Sequence, residues 1–180
     1  LGLWVLVPDL RGHGGTPGPM DEGMIGDVLT SLDDLTFRGA GALGIRGSSM
    51  GGFLALTCAA MHTDVRAVVA ICPARPESLA VRLDDHWPLR HPLGPSTWRR
   101  DGVARGFWHA TGDDVVPWGV TYDLWARAAQ PKHLRIEMGG GHQSLQHDPR
   151  IQDQTANFLA EHLLPNPGAR HLTDTTRFRD

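Results

Sequence analysis

The sequence is poor in the residue that metal sites and disulfide frameworks most often use. It has two cysteines, Cys58 and Cys72, in 180 residues, and both lie in apolar segments. Neither cysteine is part of a set of closely spaced Cys and His residues of the kind that binds a metal ion. We therefore interpret both as buried free thiols, and we expect no metal site and no other cofactor.

The chain also lacks a long apolar run and a strong charge of either sign. Its apolar runs are far shorter than the roughly 20 residues that a membrane-spanning helix needs, and its first residues do not resemble a signal peptide. There are 17 Lys and Arg against 20 Asp and Glu, and the arginines are scattered. We therefore expect a soluble, cytoplasmic protein with a small-molecule partner, not one that binds nucleic acid or a membrane.

Short apolar segments and amphipathic segments alternate along the chain. Hydrophobic residues make up 41% of the sequence, which is enough for one domain with a sizeable core. Their spacing predicts strands and helices in alternation: strands at 4–7, 42–46, 67–72, 106–110 and 133–138, and helices at 24–35, 50–61, 121–129 and 151–164. This order predicts an α/β fold with a doubly wound, mostly parallel sheet that helices cover on both faces.

The alternation breaks between residues 73 and 104, where prolines, arginines and isolated tryptophans replace the periodic apolar residues. We interpret this segment as a small, cap-like insertion in a single domain that spans residues 1–164. Its arginines, Arg100 among them, are expected to be solvated, with recognition of a carboxylate as the alternative. The last segment, 165–180, is polar and aperiodic and is predicted to be a surface tail.

Two adjacent serines between glycines follow the second predicted strand. The string GSSMG at 47–51 fits G-x-S-x-G with Ser49 in the middle, and alone it is a weak signal. A strand directly before it and a helix directly after it are what a nucleophile elbow requires, with glycines at 47, 51 and 52 as the small neighbours. Ser48 lacks those flanking glycines. At the helix N-terminus, the backbone N–H of Met50 is the expected oxyanion donor.

A serine hydroxyl is a weak nucleophile, so this interpretation requires a base and an orienting acid after later strands. Asp113, in GDDVVP, follows the predicted strand at 106–110, with Asp114 as the alternative acid. His142, in GGGHQSL, follows the strand at 133–138 and is the expected base. The other candidate histidines are expected to be surface or structural residues: His109, His133 and His147.

These segments resemble the α/β-hydrolase family. VLVPDLRGHGGTPG is similar to its strand and RGHG turn, GSSMGG to its elbow, GDDVVP to its acid loop and GGGHQSL to its histidine loop, in the family's order. The resemblance implies that Ser49 is the nucleophile, His142 the general base and acid, and Asp113 the group that holds the imidazole. It also implies that His13, in the RGHG turn, is structural, with contact to substrate as the alternative.

The sequence departs from the family pattern at its beginning. The family takes a second oxyanion donor from a loop after an earlier strand, and this sequence begins after that point, with five of the family's usual eight strands in view. Either the sequence is truncated or this protein builds half of its oxyanion hole differently. We expect truncation.

The combined prediction is a serine esterase that cleaves a small-molecule ester, or less favourably an amide, through an acyl-enzyme. Trp87 and Trp98 in the insertion, and Trp118 beside the acid loop, are candidate substrate-binding residues, with simple packing as the alternative. Acyl transfer and cofactor-free perhydrolysis use the same triad. A catalytically silent hydrolase-like module is the alternative from another class of protein.

Overall fold

The computed structural model describes residues 1–75 and 100–165. Within these residues one sheet has the strand order β1-β2-β3-β4, and every neighbouring pair is parallel. The strands are β1 (Leu43–Ser48), β2 (Val65–Ile71), β3 (Ala104–Ala110) and β4 (Lys132–Glu137). The helices are α1 (Gly23–Phe37), α2 (Met50–Met61), α3 (Trp118–Arg127), α4 (Ser144–His147) and α5 (Pro149–Leu163). The predicted α/β class is confirmed.

Helices cover both faces of this sheet. On one face, a core that includes Leu32 and Val68 joins α1, α2 and α3 to the strands. On the other face, a core that includes Val69 and Ile151 joins α4 and α5 to them. The neighbouring residues Val68 and Val69 of β2 thus point to opposite faces, and both are fully buried. Burial on both sides explains why β2 is a continuous apolar run, and the doubly wound architecture is confirmed.

The prediction of a strand at Trp4–Val7 is wrong for the structure described here. This segment pairs with no strand among the described residues, and Trp4, Val5 and Val7 are each at least 80% exposed. Its β-branched and aromatic residues favour extended backbone, but a strand is stable only when a neighbour accepts its hydrogen bonds. In the described sheet, β1 is therefore an edge strand.

The other predicted elements form, with small changes at their ends. Helix α2 has the predicted bounds, whereas α3 begins three residues earlier than predicted, directly after Pro117. Helix α5 begins at Pro149, where the Asp148 carboxylate accepts a hydrogen bond from the Arg150 N–H at 2.8 Å. Pro117 and the Asp148–Pro149 cap lie before the first apolar residues from which these helices were predicted. This explains why both helices begin earlier than predicted.

Parts of the predicted domain organisation lie outside the described residues. Residues 76–99 form most of the predicted insertion, and residues 166–180 form nearly all of the predicted tail. Among the helices that the structure describes, none combines the length and the apolar character needed to cross a bilayer.

Candidate active site

Ser49 occupies the turn between β1 and α2 in a conformation that few residues other than glycine adopt. Its φ is 54° and its ψ is −118°. The backbone around it is fixed on both sides: its N–H donates to the Ile71 carbonyl at 2.8 Å, and its carbonyl accepts from the N–H groups of Phe53 and Ala74 at 3.1 Å. Such strain persists only where the surrounding structure holds it, and it is common at functional sites.

The glycines around Ser49 differ in how strictly the turn requires them. A Cβ at Gly47 would lie 2.0 Å from the carbonyl oxygen of Gly51, so the two backbones approach too closely for any side chain. A Cβ at Gly52 would lie 3.2 Å from Pro73, which is a tight contact. A Cβ at Gly51 would meet no described atom within 4 Å. Within residues 1–75 and 100–165, the expectation that all three positions need a small residue is therefore wrong for Gly51, because a side chain there would meet none of these atoms.

Ser49, His142 and Asp113 lie in one chain of hydrogen bonds. Nε2 of His142 is 2.9 Å from Oγ of Ser49, and Nδ1 of His142 is 2.7 Å from Oδ2 of Asp113. A carboxylate only accepts hydrogen bonds, so the proton of the neutral ring is on Nδ1, and the lone pair of Nε2 faces the serine hydroxyl. Asp114, the alternative acid, is exposed to solvent. The structure thus brings together the three residues that the sequence singles out.

The Asp113 carboxylate is buried and held in its ionised form. Its Oδ1 accepts hydrogen bonds from the backbone N–H groups of Val115 at 2.9 Å and Val116 at 2.8 Å. Burial by itself raises the pKa of Asp113, but the hydrogen bonds from Val116, His142 and Val115 outweigh burial, and its pKa lies below the ordinary value. At neutral pH the group beside His142 is therefore an anion.

His142 reaches Ser49 because two glycines turn its loop back over the sheet. His142 follows β4, which lies three strands away from β1 in the sheet, roughly 14 Å at the usual strand spacing. Gly139 and Gly140 have φ values of 72° and 71°. The loop also touches the acid loop directly, because a Cβ at Gly112 would lie 2.4 Å from the Gly140 carbonyl oxygen. The acid and histidine loops are therefore built against each other.

The N-terminus of α2 points its first N–H groups out of the helix beside Ser49. Met50 is the first residue of α2, and no side chain caps this end of the helix. The first N–H groups of any helix have no acceptor within it, and they favour a negative charge. The Met50 N–H is thus available to an oxyanion on Ser49, and its role as the oxyanion donor stays a prediction.

Apolar side chains from two loops and the first turn of α2 meet next to the elbow. Leu10 and Met20 of the RGHG segment pack with Met50 and Val115 against a buried core around Phe53. All four are partly buried. Leu10, Met20 and Val115 were not singled out in the sequence, because single apolar residues in loops carry no periodic signal. Met50 was singled out only for its backbone N–H.

An ion pair fastens the RGHG segment to α1. Nε and Nη2 of Arg11 donate to the two carboxylate oxygens of Asp27 at 3.0 and 2.9 Å. His13 in the same turn lies with Nδ1 3.1 Å from the Arg11 carbonyl oxygen, so its ring is occupied by its own loop. The Arg11–Asp27 pair was not predicted, because the two residues are distant in the chain.

Three further predictions have different outcomes. Trp118 begins α3, is 44% exposed, and packs its ring edge-on against Tyr122 of the same helix, so its role in substrate binding stays a prediction. Trp87 and Trp98 lie outside the described residues. Arg100 is not a free, solvated charge, because its guanidinium donates to the Ala59 and His62 carbonyls at the end of α2.

The three histidines set aside in the sequence lie in different environments. His133 on β4 and His147 at the end of α4 are exposed, whereas the His109 side chain on β3 is completely buried. Nε2 of His109 lies 3.2 Å from Oδ2 of Asp113. The sequence does not indicate that His109 contacts Asp113, because a strand covered on both faces buries a histidine whichever way it points.

Cys72 also lies near the site, and the sequence does not indicate this position. It follows β2, is fully buried, and has φ 44°. The possible ligand atoms of Cys72, Asp113 and His142 all lie within 4.8 Å of one another. Burial, with a further contribution from Asp113, raises the pKa of the Cys72 thiol to about 12. Asp113 and His142 already bind each other through Oδ2 and Nδ1, which accounts for this cluster. Both cysteines are buried free thiols, as expected.

This arrangement of a nucleophile elbow, an acid loop and a histidine loop on a doubly wound sheet is that of an α/β hydrolase. Residues 2–107 match the alpha/beta hydrolase fold family. The chain belongs to this family. It is 31% identical to an uncharacterized protein from Mycobacterium tuberculosis over 163 residues, which cover 85% of this chain and 56% of that protein. The chain thus spans about half the length of the curated relatives that it matches.

Solved structures share the same fold. A CIB-like hydrolase from Thermoplasma acidophilum aligns with a TM-score of 0.63 and 22% identity over 86% of this chain and 70% of its own. Mouse alpha/beta hydrolase domain-containing protein 10 aligns with a TM-score of 0.63 and 20% identity over 84% and 75%. Acetyl xylan esterase 1 from Thermoanaerobacterium aligns with a TM-score of 0.60 and 20% identity over 84% and 64%.

Proposed function

We propose that this protein is a serine hydrolase that cleaves a small-molecule ester through an acyl-enzyme on Ser49. The observation that carries the proposal is the chain of hydrogen bonds from Ser49 through His142 to Asp113, at 2.9 and 2.7 Å. The strained backbone of Ser49 at the N-terminus of α2 supports it, because this turn places the hydroxyl beside free backbone donors.

In the first half of the reaction, Oγ of Ser49 attacks the carbonyl carbon while Nε2 of His142 takes the hydroxyl proton. The carbonyl oxygen becomes an oxyanion, and the Met50 N–H donates to it. Asp113 stabilises the imidazolium through its Oδ2. The intermediate collapses as the C–O bond of the ester breaks, and His142 returns its proton to the departing alcohol.

In the second half, water attacks the acyl group on Ser49 and gives a proton to Nε2 of His142. A second tetrahedral intermediate forms and collapses, the acyl–Oγ bond breaks, and Ser49 Oγ takes the proton back. The carboxylic acid leaves and the free enzyme is restored. One backbone donor at the oxyanion contributes about 2.7–4 kcal/mol to the transition state, so a large part of the rate depends on the N-terminus of α2.

The apolar side chains beside the elbow suggest the kind of substrate. Leu10, Met20, Met50 and Val115 are partly buried and converge from the RGHG segment, α2 and the acid loop. We propose that they bind the apolar part of the ester. Esters of apolar acids are therefore the first substrates to test.

A fluorophosphonate probe tests the proposal directly, because it reacts with an activated serine. We expect the protein to be labelled, Ser49→Ala to abolish labelling, and Ser48→Ala, the adjacent matched control, to keep it. Labelling that persists in Ser49→Ala, or that is lost in Ser48→Ala with the fold intact, would contradict the assignment of the nucleophile.

A panel of aryl esters of increasing acyl length then tests the reaction. We expect release of the phenol in the wild type and a loss of at least about 10³-fold in Ser49→Ala. Labelled protein that does not hydrolyse the esters in water, yet transfers the acyl group to an added alcohol, would assign acyl transfer instead. Absence of labelling in folded protein would favour a catalytically silent member of the family.

A further inference from the structure

A second imidazole, besides that of His142, lies against the Asp113 carboxylate. The His109 side chain, near the end of β3, is completely buried. Its Nε2 lies 2.9 Å from the Val116 carbonyl oxygen and 3.2 Å from Oδ2 of Asp113, and its Nδ1 lies 2.5 Å from Oγ1 of Thr121 on α3. A buried polar ring is costly unless its nitrogens are paired, and here both are.

These contacts define which nitrogen of His109 carries the proton. Nε2 faces a carbonyl oxygen and a carboxylate oxygen, and both only accept hydrogen bonds. The proton is therefore on Nε2, and the lone pair of Nδ1 accepts from the Thr121 hydroxyl. Burial lowers the pKa of His109, so the ring is a neutral donor at neutral pH.

The carboxylate of Asp113 is consequently surrounded on both oxygens. Oδ1 accepts from the N–H groups of Val115 and Val116. Oδ2 lies between Nδ1 of His142 at 2.7 Å and Nε2 of His109 at 3.2 Å. The carboxylate is therefore held by two backbone N–H groups and by His142, with the His109 ring in contact at Oδ2. Among the described residues, His142 is the partner that exchanges a proton in the proposed reaction.

We propose that His109 is a positioning residue for the hydrolytic reaction: it holds Oδ2 of Asp113 in line with His142, and Thr121 fixes the His109 tautomer. This inference rests on the proposed function. An apolar side chain of similar size would fill the same space without the cost of burying a polar ring. The 3.2 Å approach of Nε2 to Oδ2 of Asp113, beside the hydrogen bond of Nε2 to the Val116 carbonyl oxygen, is therefore the feature that packing leaves unexplained.

The titratable groups around the Asp113 carboxylate, among the described residues, are His142, His109 and Cys72. Cys72, with a pKa of about 12, stays a neutral thiol at working pH. Removing the His109 N–H leaves more negative charge on Oδ2 to face the His142 imidazolium, so the imidazolium persists to higher pH. His142 acts as a base only when neutral, and the acid limb of the pH–rate profile should therefore move upward.

Kinetics of variants test this role. In His109→Phe we expect the midpoint of the acid limb of kcat/KM to rise by about half a pH unit, kcat to fall about tenfold, and KM to stay within about twofold. His109→Gln keeps an amide donor near the position of Nε2 and should restore the wild-type midpoint. Thr121→Val should move the midpoint in the same direction by less. Phe107→Leu, on the same strand and face, is the control that lowers stability and leaves the midpoint unchanged.

A midpoint in His109→Phe that stays within error of Phe107→Leu would overturn the proposal. Nitrogen-15 histidine spectra of the wild type provide a test that needs no enzymatic activity. They should show His109 neutral, with its proton on Nε2, between about pH 5 and pH 8. A proton on Nδ1, or titration in that range, would overturn the inference even if His109→Phe fails to fold. If the spectra agree and no ester is cleaved, the proposed function fails and the His109–Asp113 contact stands.

Discussion

The close approach of two backbone segments at the elbow predicts opposite effects for two neighbouring glycine substitutions. In Gly47→Ala the new Cβ would lie 2.0 Å from the Gly51 carbonyl oxygen and 2.2 Å from its carbonyl carbon. Neither atom belongs to a flexible side chain, so the first turn of α2 must move away from β1. In Gly51→Ala the new Cβ meets no described atom within 4 Å.

The size of each effect follows from these contacts. Real Cβ contacts are essentially never under 3.0 Å, so the Gly51 carbonyl must move by about 1 Å in Gly47→Ala. Overpacking of this kind costs about 1–3 kcal/mol, and a displacement of about 1 Å at the reacting atoms costs about 100-fold in rate. Gly51→Ala replaces a helical glycine by the best helix former and should add up to about 1 kcal/mol to the free energy of unfolding.

Urea denaturation followed by tryptophan fluorescence measures the free energy of unfolding, and the rate of fluorophosphonate labelling measures the reactivity of Ser49. We expect Gly47→Ala to lower the free energy of unfolding by about 3 kcal/mol and the labelling rate by about 100-fold. Equal stabilities of the two variants, with wild-type labelling of Gly47→Ala, would refute the reasoning. They would mean that α2 does not start against β1 as the structure has it.

Three further predictions concern the buried charges and thiols. The folded-state pKa of Asp113 is lowered, so its contribution to stability is present above about pH 4 and is lost as the pH falls through the folded value. Urea denaturation of Asp113→Asn at pH 3–7 should therefore show a smaller fall in the free energy of unfolding at low pH than the wild type shows. An equal fall in both proteins would contradict this. Cys58 and Cys72, each with a pKa of about 12, should not react with a thiol reagent in the native protein, and both should react after denaturation. Rapid reaction of either cysteine in the native protein would show that this cysteine is not buried. Arg100→Ala should lower the free energy of unfolding by about 1–3 kcal/mol, because carbonyls at the end of α2 lose a charged donor. A loss below about 0.5 kcal/mol would mean that water replaces the guanidinium as the donor.

The features that sequence predicts well here are those with a local signal. The Ser49 turn has glycines, a strand before it and a helix after it, and Asp113 and His142 each follow a strand of a parallel sheet. Parallel strands end at one edge, so residues that follow them converge without knowledge of the tertiary structure. Helix α1 was predictable from its apolar spacing. Helix α2 was predicted from a run rich in Ala and Leu, because it is buried over a continuous stretch and shows no such spacing.

The features that were missed depend on contacts between distant segments. His109 is one more residue in an apolar strand until Thr121 of α3 and the Asp113 loop enclose its ring. Trp4–Val7 has the composition of a strand, but pairing depends on a neighbour that composition does not reveal. Gly51 matches the elbow motif, yet only the direction of its absent Cβ shows that the turn does not need it.

The order of the strands explains both the reach of His142 and the identity of residue 72. Strands β1, β2 and β3 are neighbours in chain order, so Ser49 and Asp113 lie two strands apart, roughly 10 Å at the usual spacing, and Cys72 follows the strand between them. One imidazole with a hydrogen bond at each nitrogen bridges that gap. A side chain on the middle strand therefore lies next to the bridge, where a carboxylate would compete with Asp113 for Nδ1 of His142 and a bulky group would displace the ring. A small thiol that stays neutral at working pH satisfies both requirements.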